Sequence, residues 1–576
     1  MTPPVVFGRE EIRLALVKRI EGFVAGYRQN VALLGPGGAG KTFLARTLLQ
    51  EELSRFPSLV GIYLEIREKE SATEWTLRFL RAFLYGVLKG QGEREIPLGD
   101  FRGLLGRCRS ILPSCAGEAH ELLELAQGGY SQELFDRIWD LPHRLTQESG
   151  RLVLLVLDEF QGLRGLALQD PLGRLGKKIM MHHNTLYFLI SSKPSEAQAI
   201  LRGRFNLLFG QFEVIPMEPL DPPSALRAIR GRPQGQALEP FLARLIIELA
   251  QGYPEYLDLL LTAFGRVPVQ GGGLGEAEEI QKALAELLLW PSGLLRVRFE
   301  ERLKSLSVDL ARPFWIEVLA AVASGQHRFL EVHQAVGRGR LQVQRALEVL
   351  AEAGLVVRHG VFYRIPDRLF ELWLLTAYPA LQGLELGAFD LAQQQFERAL
   401  AQRLKELRKN LLTPLEEQLV WLISQWNNEM VEVEGHKLLL PGFRRVERIT
   451  RASGLRALWA RGDGPGKRDW LVFPVDGPLT EGLAQRISQE AKAVAFRKCR
   501  KLLLGPYPIE LNARLILQGC RIHLWDLATV HELLSLYGLA GLAFLDETVS
   551  SSALTQEIAP AVSEASPPGG EKEAAG

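Results

Sequence analysis

A glycine-rich octapeptide, residues 35–42, combines the residue types that bind phosphate. It reads Gly-Pro-Gly-Gly-Ala-Gly-Lys-Thr and fits the spacing GxxxxGK[ST] in full. Glycines let a loop curl its backbone N–H groups around an anion, and the helix after such a loop adds its positive N-terminal end. Lys41 would reach the β- and γ-phosphates of a nucleotide, and the Thr42 hydroxyl would coordinate Mg²⁺. The predicted nucleotide-binding residues here are Gly35, Pro36, Gly37, Gly38, Ala39, Gly40, Lys41, Thr42 and Phe43.

Two adjacent acids, Asp158 and Glu159, follow the apolar run of residues 152–157. Such a strand end is what an ATPase needs beside its phosphate-binding loop. Asp158 would hold Mg²⁺ through water, and Glu159 would polarise the attacking water. The pair therefore predicts ATP hydrolysis rather than binding alone, with Lys41 and Glu159 as catalytic residues and Thr42 and Asp158 as metal ligands.

Weaker signals lie after the next apolar run. Ser191 and Ser192 end that run, where a polar residue could sense the γ-phosphate, although serine is also common at ordinary strand ends. Arg202 and Arg204 follow. An arginine near the γ-phosphate can stabilise developing charge, from the same subunit or a neighbouring one. We expect Ser192 to contact nucleotide and Arg204 to act in catalysis, against the alternative that the two arginines are surface residues without such a role.

Strands and helices alternate around these residues, as the positions of the motifs require. Short apolar runs predict strands at 30–34, 60–66, 151–157, 186–190 and 212–215. Helical periodicity falls between them, including 12–23 before the first strand and most of 71–145. Strands separated by helices indicate an α/β layer with a parallel sheet. The carboxyl ends of its strands would gather the glycine-rich loop, the two acids and the serines at one edge.

The order of several short segments resembles the archaeal-type ATPase family, which belongs to the STAND-like and AAA+-related P-loop ATPases. These segments are Val6-Phe-Gly-Arg-Glu10, the phosphate-binding loop, Leu157-Asp-Glu-Phe-Gln161, the strand ending in Ser191-Ser192, and Gly252-Tyr-Pro-Glu-Tyr-Leu257. The resemblance covers residues 5–265 and implies a parallel-sheet core with a helical lid. It places Phe7, Arg9 and Pro254 around the base and ribose. ATP and Mg²⁺ are the implied cofactors.

Residues 312–365 look like a winged helix: three helices, followed by a hairpin that turns at Gly360. The third helix of that fold enters a DNA major groove. Possible DNA contacts are Arg338, Arg340 and Arg345 at the helix and Arg358 on the wing. In ATPases of this kind the winged helix is often only a packing or protein-contact module, so both interpretations stay open.

Residues 414–537 show an order of strands and helices similar to the restriction-endonuclease-like fold, which often follows the winged helix in this family. An active nuclease needs an acid on the second strand and Glu-x-Lys on the third, because these groups hold Mg²⁺. The third strand instead ends in Phe473-Pro-Val-Asp476, and the second has no acid. We therefore expect an inactive domain that binds a partner or nucleic acid, with Asp463 and Asp469 as displaced ligands in the alternative.

The predicted fold class is α/β, a P-loop NTPase parallel sheet with a helical lid, followed by a winged helix and a small endonuclease-like α/β domain. The predicted domains are the ATPase core (1–218), lid and linker (219–300), winged helix (301–375), endonuclease-like domain (376–545) and disordered tail (546–576). The last is rich in Ser, Ala, Pro, Gly and Glu.

The composition argues against a strongly basic nucleic-acid-binding protein and a membrane protein. The chain of 576 residues carries 68 basic and 67 acidic side chains, so nucleic acid could be bound only through a local patch. Its four cysteines form no CxxC pair. The sequence contains no run of about 18 apolar residues, so we expect no membrane span. We expect a cytoplasmic protein.

Three functions fit these features: an ATPase switch acting on DNA or a protein partner, with homo-oligomers possible; a nucleotide-bound regulator without turnover; and, least favoured, an ATP-controlled nuclease.

Overall fold

The computed structural model describes residues 8–67, 70–93, 100–205, 210–236, 238–265, 274–304, 306, 312–382, 389–433, 436–450, 454–462, 469–475, 479–493, 499–504 and 510–539. They fall into two compact bodies. The first holds the described residues up to 236 together with 250–265, and the second holds 238–249 and those from 274 onward. Phe7, the linker at 266–273, Asp463, Asp476 and the tail lie outside the described residues.

The first body alternates strands and helices as the apolar runs predict. Its strands are β1 (Asn30–Leu34), β2 (Leu59–Glu65), β3 (Leu152–Asp158), β4 (Thr185–Ser191) and β5 (Phe212–Pro216). Its helices are α1 (Glu10–Val24), α2 (Lys41–Arg55), α3 (Ala72–Gly90), α4 (Phe101–Ile111), α5 (Pro113–Ala126), α6 (Gln132–Ser149), α7 (Pro171–Met181), α8 (Pro194–Gly203), α9 (Pro222–Arg230), α10 (Pro233–Gln236) and α12 (Pro254–Phe264), with a 3₁₀ helix at Phe160–Gly165.

The five strands form one parallel sheet in the order β2-β3-β4-β1-β5. Strand β4 therefore lies between β1, which leads into the glycine-rich loop, and β3, which ends in Asp158. Because all strands run the same way, the loop, the acids and Ser191 share one edge of the sheet. The predicted α/β class and P-loop NTPase fold are confirmed.

Both faces of this sheet are covered, which explains why its central strands are apolar throughout. Side chains alternate between two cores: Leu154 and Val156 pack with α1 and α2, whereas Leu155 and Leu157 pack with α3, α6 and α7. Helices α3–α6 form the long insertion between β2 and β3. Their contacts centre on the buried rings of Trp75 and Trp139, 6.2 Å apart.

The second body begins with helices and ends with a sheet. Its helices are α11 (Pro240–Ala250, of which residue 250 belongs to the first body), α13 (Leu274–Leu288), α14 (Leu294–Lys304), α15 (Arg312–Ala323), α16 (Phe329–Val336), α17 (Arg340–Glu352), α18 (Arg368–Gln382), α19 (Phe389–Leu412), α20 (Leu415–Ser424), α21 (Glu481–Ala493), α22 (Leu511–Gly519) and α23 (Leu527–Leu536). Its strands are β6 (Val357–His359), β7 (Phe362–Arg364), β8 (Glu429–Val433), β9 (His436–Leu440), β10 (Phe443–Thr450), β11 (Arg456–Gly462), β12 (Trp470–Pro474), β13 (Arg500–Leu504) and β14 (Ile522–Trp525).

The second sheet has the order β10-β11-β12-β13-β14, antiparallel over its first three strands and parallel thereafter. Helices α21 and α22 cover one face, and α20 and α23 cover the other. The β8–β9 hairpin is an element that the sequence analysis did not predict. Its burial alternates only briefly, through Val431 and Val433, which is too short a pattern to recognise in the sequence.

The β6–β7 hairpin after α15–α17 packs against the second sheet and its helices. The ring of Phe362 lies 5.1 Å from that of Tyr537, and His359 Nδ1 is 2.8 Å from a carboxylate oxygen of Glu532. Arg358 donates to the carbonyl of Gly360 in its own hairpin, at 2.9 Å. One side of the hairpin is thus packed within the second body, whereas Arg358 and Val361 on it are exposed.

No helix in the described part of the chain is long and apolar enough to cross a bilayer.

We predict that Gly86→Ala destabilises the first body. Gly86 lies where α3 meets β2, and an added methyl carbon would sit 2.5 Å from the carbonyl oxygen of Gly61. Overpacking of this kind costs about 1–3 kcal/mol. Gly117→Ala is the matched control, because Gly117 lies exposed in α5 with open space around it and should gain about 0.5–1 kcal/mol of helix stability. Urea unfolding measures both; equal midpoints for Gly86→Ala and the parent protein would contradict the packing.

Candidate nucleotide-binding and catalytic site

The glycine-rich loop joins the carboxyl end of β1 to the first turn of α2. Its last residue, Gly40, precedes the helix with a φ of 93°, a left-handed conformation that glycine adopts without a steric penalty. The helix therefore begins at Lys41, and its free N–H groups face the loop side. A methyl group on Gly40 would lie 3.7 Å from Pro254 Cγ, so the start of α12 stands beside the loop.

The Lys41 side chain folds back over this loop. It is only 5% exposed, and its ammonium group donates to the carbonyl oxygens of Gly35 at 2.8 Å and Pro36 at 2.7 Å. Burial lowers the pKa of Lys41, and the nearby carboxylates of Glu159, Asp158 and Glu218 oppose this shift. Its bonded acceptors are neutral, so the cation keeps a strong electrostatic preference for an anion.

Thr42 and Asp158 meet at the centre of this edge. The Thr42 hydroxyl donates to Asp158 Oδ2 at 2.5 Å, and the backbone N–H of Glu159 donates to Oδ1 at 3.0 Å. A hydroxyl and a carboxylate are the hard oxygen ligands that Mg²⁺ takes, and this ion usually keeps several waters and binds substrate phosphate as well. The pair therefore fits a Mg²⁺ ion shared with a nucleotide. No cluster of three or more metal-binding side chains occurs among the described residues.

Glu159 is held from several sides. Its backbone is left-handed, with a φ of 53°, which is uncommon outside glycine and is typical of functional sites. Its Oε2 accepts hydrogen bonds from Gln161 Nε2 at 2.5 Å and from the backbone N–H and hydroxyl of Ser192, at 3.1 and 2.8 Å. The end of β4 thus fixes the carboxylate that follows β3.

Arg9, the residue just before α1, contacts the loop. Its guanidinium donates to the carbonyl of Glu218 and, at 3.5 Å, to that of Ala39 in the glycine-rich loop. Burial lowers the pKa of Arg9, and the nearby carboxylates of Asp221, Glu218 and Glu10 oppose this shift. The Gly-Arg-Glu segment and the glycine-rich loop are thereby joined by one side chain.

The structure brings most of the predicted site residues together, but Arg204, Phe43, Phe7 and Ser191 differ. Arg204 forms an ion pair with Asp170, at 3.3 Å, and is 60% exposed. The Phe43 side chain is 48% exposed at the start of α2, and Phe7 lies outside the described residues. Ser191 is buried and bonds to the backbone of Lys193. The roles of these residues remain predictions.

Two polar contacts at the acids escaped the sequence analysis. The Tyr63 hydroxyl, from β2, donates to Asp158 Oδ2 at 2.6 Å, and Gln161 bonds to Glu159. Gln161 follows the acids at a fixed short spacing, so its proximity was readable from the sequence. The proximity of Tyr63 to Asp158 could not be predicted, because it depends on the register of β2 against β3, which the sequence does not specify.

Residues 5–184 match the family model of an AAA ATPase domain, whereas no functionally curated protein matches the sequence. Similar solved structures include a Walker-type ATPase of Pyrococcus abyssi, with 19% identity and a TM-score of 0.43, covering 64% of this chain and 96% of that one. The ORC1 protein of Aeropyrum pernix, solved in complex with DNA, has 20% identity, a TM-score of 0.36 and coverages of 66% and 94%. RuvB of Thermotoga maritima has 13% identity, a TM-score of 0.30 and coverages of 62% and 92%.

TM-scores below 0.5 support no comparison of whole chains. The matched family model, the complete GxxxxGK[ST] motif and the β4-centred parallel sheet agree with one another. Residues 5–184 are therefore similar to AAA ATPase domains, in the part of the chain that has the P-loop NTPase fold.

Proposed function

We propose that the first body binds ATP with Mg²⁺ and hydrolyses it to ADP and phosphate. The observation that carries this proposal is the contact of Thr42 with Asp158, 2.5 Å, beside Lys41 and Glu159. These side chains come from α2 and from the end of β3, and together they supply a cation, two metal-binding oxygens and a base. An accidental glycine-rich turn would have no reason to meet the acids.

Each residue has a distinct part in this reaction. The loop N–H groups from Gly35 to Thr42 bind the phosphates, and Lys41 exchanges its carbonyl acceptors for β- and γ-phosphate oxygens. Thr42 and Asp158 would hold Mg²⁺, which neutralises charge on the phosphates. Glu159 orients and polarises the attacking water, and Ser192 and Gln161 fix the position of its carboxylate.

The second body is the part that we propose binds DNA, with α17 as the contacting element. Arg338, Arg340 and Arg345 lie exposed on or just before this helix, and they form no ion pair within the described residues. Arg358 on the β6–β7 hairpin is exposed as well, but it donates to the carbonyl of Gly360 in its own hairpin, so the proposal assigns the main contact to the helix. ATP and ADP would then favour different shapes and so different affinities for DNA.

Nuclease activity lacks comparable support. Asp469 accepts hydrogen bonds from the backbone N–H of Gly462, at 2.9 Å, and from the indole N–H of Trp459, at 3.1 Å. Both bonds tie β11 to the start of β12, so this carboxylate has a structural use. We therefore favour a binding role for the second body.

Lys41→Ala should weaken ATP binding by roughly 10- to 100-fold, because a charge-assisted hydrogen bond contributes about 1.5–3 kcal/mol. Fluorescence titration with a labelled ATP analogue measures the effect. Lys18→Ala, at an exposed position of α1, is the control and should bind like the parent protein. Equal affinities for Lys41→Ala and the parent would rule out the site.

Glu159→Gln should bind ATP normally and lose turnover by roughly 100-fold or more, because general-base assistance contributes at least that factor. Phosphate release is measured with saturating ATP, with and without DNA. Glu121→Gln, an exposed acid on α5, serves as the control. If the parent protein binds ATP but releases no phosphate under either condition, the chain is a nucleotide-bound regulator instead.

Ser192→Ala should lower kcat by roughly tenfold with little change in KM, because it removes a hydroxyl donor from the Glu159 carboxylate. Ser191→Ala is a close control, since the Ser191 hydroxyl bonds to the backbone of residue 193 and not to Glu159. A rise in KM alone would instead indicate that Ser192 binds nucleotide.

The double variant Arg340→Ala/Arg345→Ala should bind duplex DNA more weakly and show a less steep dependence on salt, by about one unit of slope for each phosphate that the protein no longer neutralises. Fluorescence anisotropy at several salt concentrations gives both quantities. Arg403→Ala, which removes an arginine paired with Glu406 on α19, is the control. An unchanged slope would exclude α17 as the DNA-binding element.

A further inference from the structure

We propose that Tyr63 is a positioning residue for the magnesium site: its hydroxyl orients the Asp158 carboxylate, and Arg46 holds the tyrosine ring in place. The proposal rests on the proposed binding of ATP with Mg²⁺. Neither residue belongs to the glycine-rich loop or to the acidic strand end.

The contacts at Asp158 show how completely this carboxylate is fixed. It is 2% exposed, so its oxygens cannot rely on bulk water. Oδ2 accepts from the Thr42 hydroxyl at 2.5 Å and from the Tyr63 hydroxyl at 2.6 Å, and Oδ1 accepts from the backbone N–H of Glu159 at 3.0 Å. Tyr63 is therefore the donor that reaches Asp158 from the neighbouring strand.

The register of the sheet explains this reach. In the parallel pair of β2 and β3, Glu65 is the partner of Asp158 and Tyr63 is the partner of Val156. Tyr63 thus starts two residues before the strand end, and its long phenol side chain spans the distance to the carboxylate. A shorter hydroxyl residue at this position would not reach it.

Arg46 fixes the other side of the ring. Its guanidinium carbon lies 4.4 Å from the centroid of the Tyr63 ring, over the face, which is a cation–π contact. Arg46 belongs to α2, the helix that begins with Lys41 and Thr42. A tyrosine hydroxyl carries its proton at neutral pH, so Tyr63 can donate the bond to Asp158.

Hydrogen-bond partners behind a metal ligand typically change metal affinity by 10- to 100-fold when they are removed. In the proposed site the Thr42 hydroxyl contacts both the metal ion and the Asp158 carboxylate. The Tyr63 hydroxyl comes from outside the phosphate-binding loop, so it can hold the carboxylate in one orientation while Thr42 engages the ion. Loss of this hydroxyl should therefore affect the Mg²⁺-dependent part of nucleotide binding.

The test compares Tyr63→Phe with the parent protein by titrating Mg²⁺ into full-length protein with a fluorescent non-hydrolysable ATP analogue. We expect Tyr63→Phe to need roughly tenfold more Mg²⁺ for half-maximal enhancement of binding. The affinity for the analogue in EDTA should change less than about twofold, because the phenyl ring and the phosphate-binding loop are retained. Arg46→Gln should give a smaller shift in the same direction.

Tyr130→Phe is the matched control. Tyr130 also donates a hydrogen bond, to the carbonyl of Glu70 at 2.9 Å, but Asp158 receives none from it. Superimposable Mg²⁺ curves for Tyr63→Phe and the parent would overturn the proposal while leaving ATP binding intact. So would equal losses of affinity with Mg²⁺ and in EDTA, which would mark a purely structural role. Absence of analogue binding by the parent protein would instead refute the proposed function itself, and the positioning role with it.

Discussion

The bond between Thr42 and Asp158 is the constraint on which the rest of the site depends. The two residues lie on segments that are not neighbours in the sheet, because β4 separates β1 from β3. Adjacent strands are about 4.8 Å apart. The loop after β1 must therefore pass over the end of β4 before the first turn of α2 can reach Asp158. The loop passes over the end of β4, where the backbone N–H of Gly35 donates to the carbonyl of Ser191 at 3.3 Å.

The same arrangement brings the residue after β4 into contact with one of the acids. Ser192 comes immediately after the strand and bonds to Glu159 through both its backbone and its hydroxyl. Lys41 approaches from the other side with its ammonium group buried. Two carboxylates and one cation are thus concentrated where three strand ends converge. Burial of these charges is costly without partners, and each of the three groups has hydrogen-bond partners in the structure.

Sequence predicted the parts of this site that depend on local chemistry. The glycines, lysine and threonine of residues 35–42 predicted a phosphate-binding loop through their spacing, and the apolar run before Asp158 predicted a buried strand, which the structure contains. Contacts that depend on strand register were out of reach: Tyr63 is one polar residue in an apolar strand, and nothing in its spacing points to Asp158. Arg204 follows the next strand and forms an ion pair with Asp170, and its catalytic role stays a prediction.

The second body shows why a correct succession of elements does not by itself specify an interaction. Three helices and a hairpin follow each other as the sequence indicated, yet Phe362 and His359 of the hairpin are engaged by Tyr537 and Glu532. Moving the hairpin away from these partners would expose the buried Phe362 ring and break the contact between His359 and Glu532. Contact through α17 has no such cost, because its arginines are already exposed. The proposed contact of DNA with α17 would leave the hairpin packed where it is.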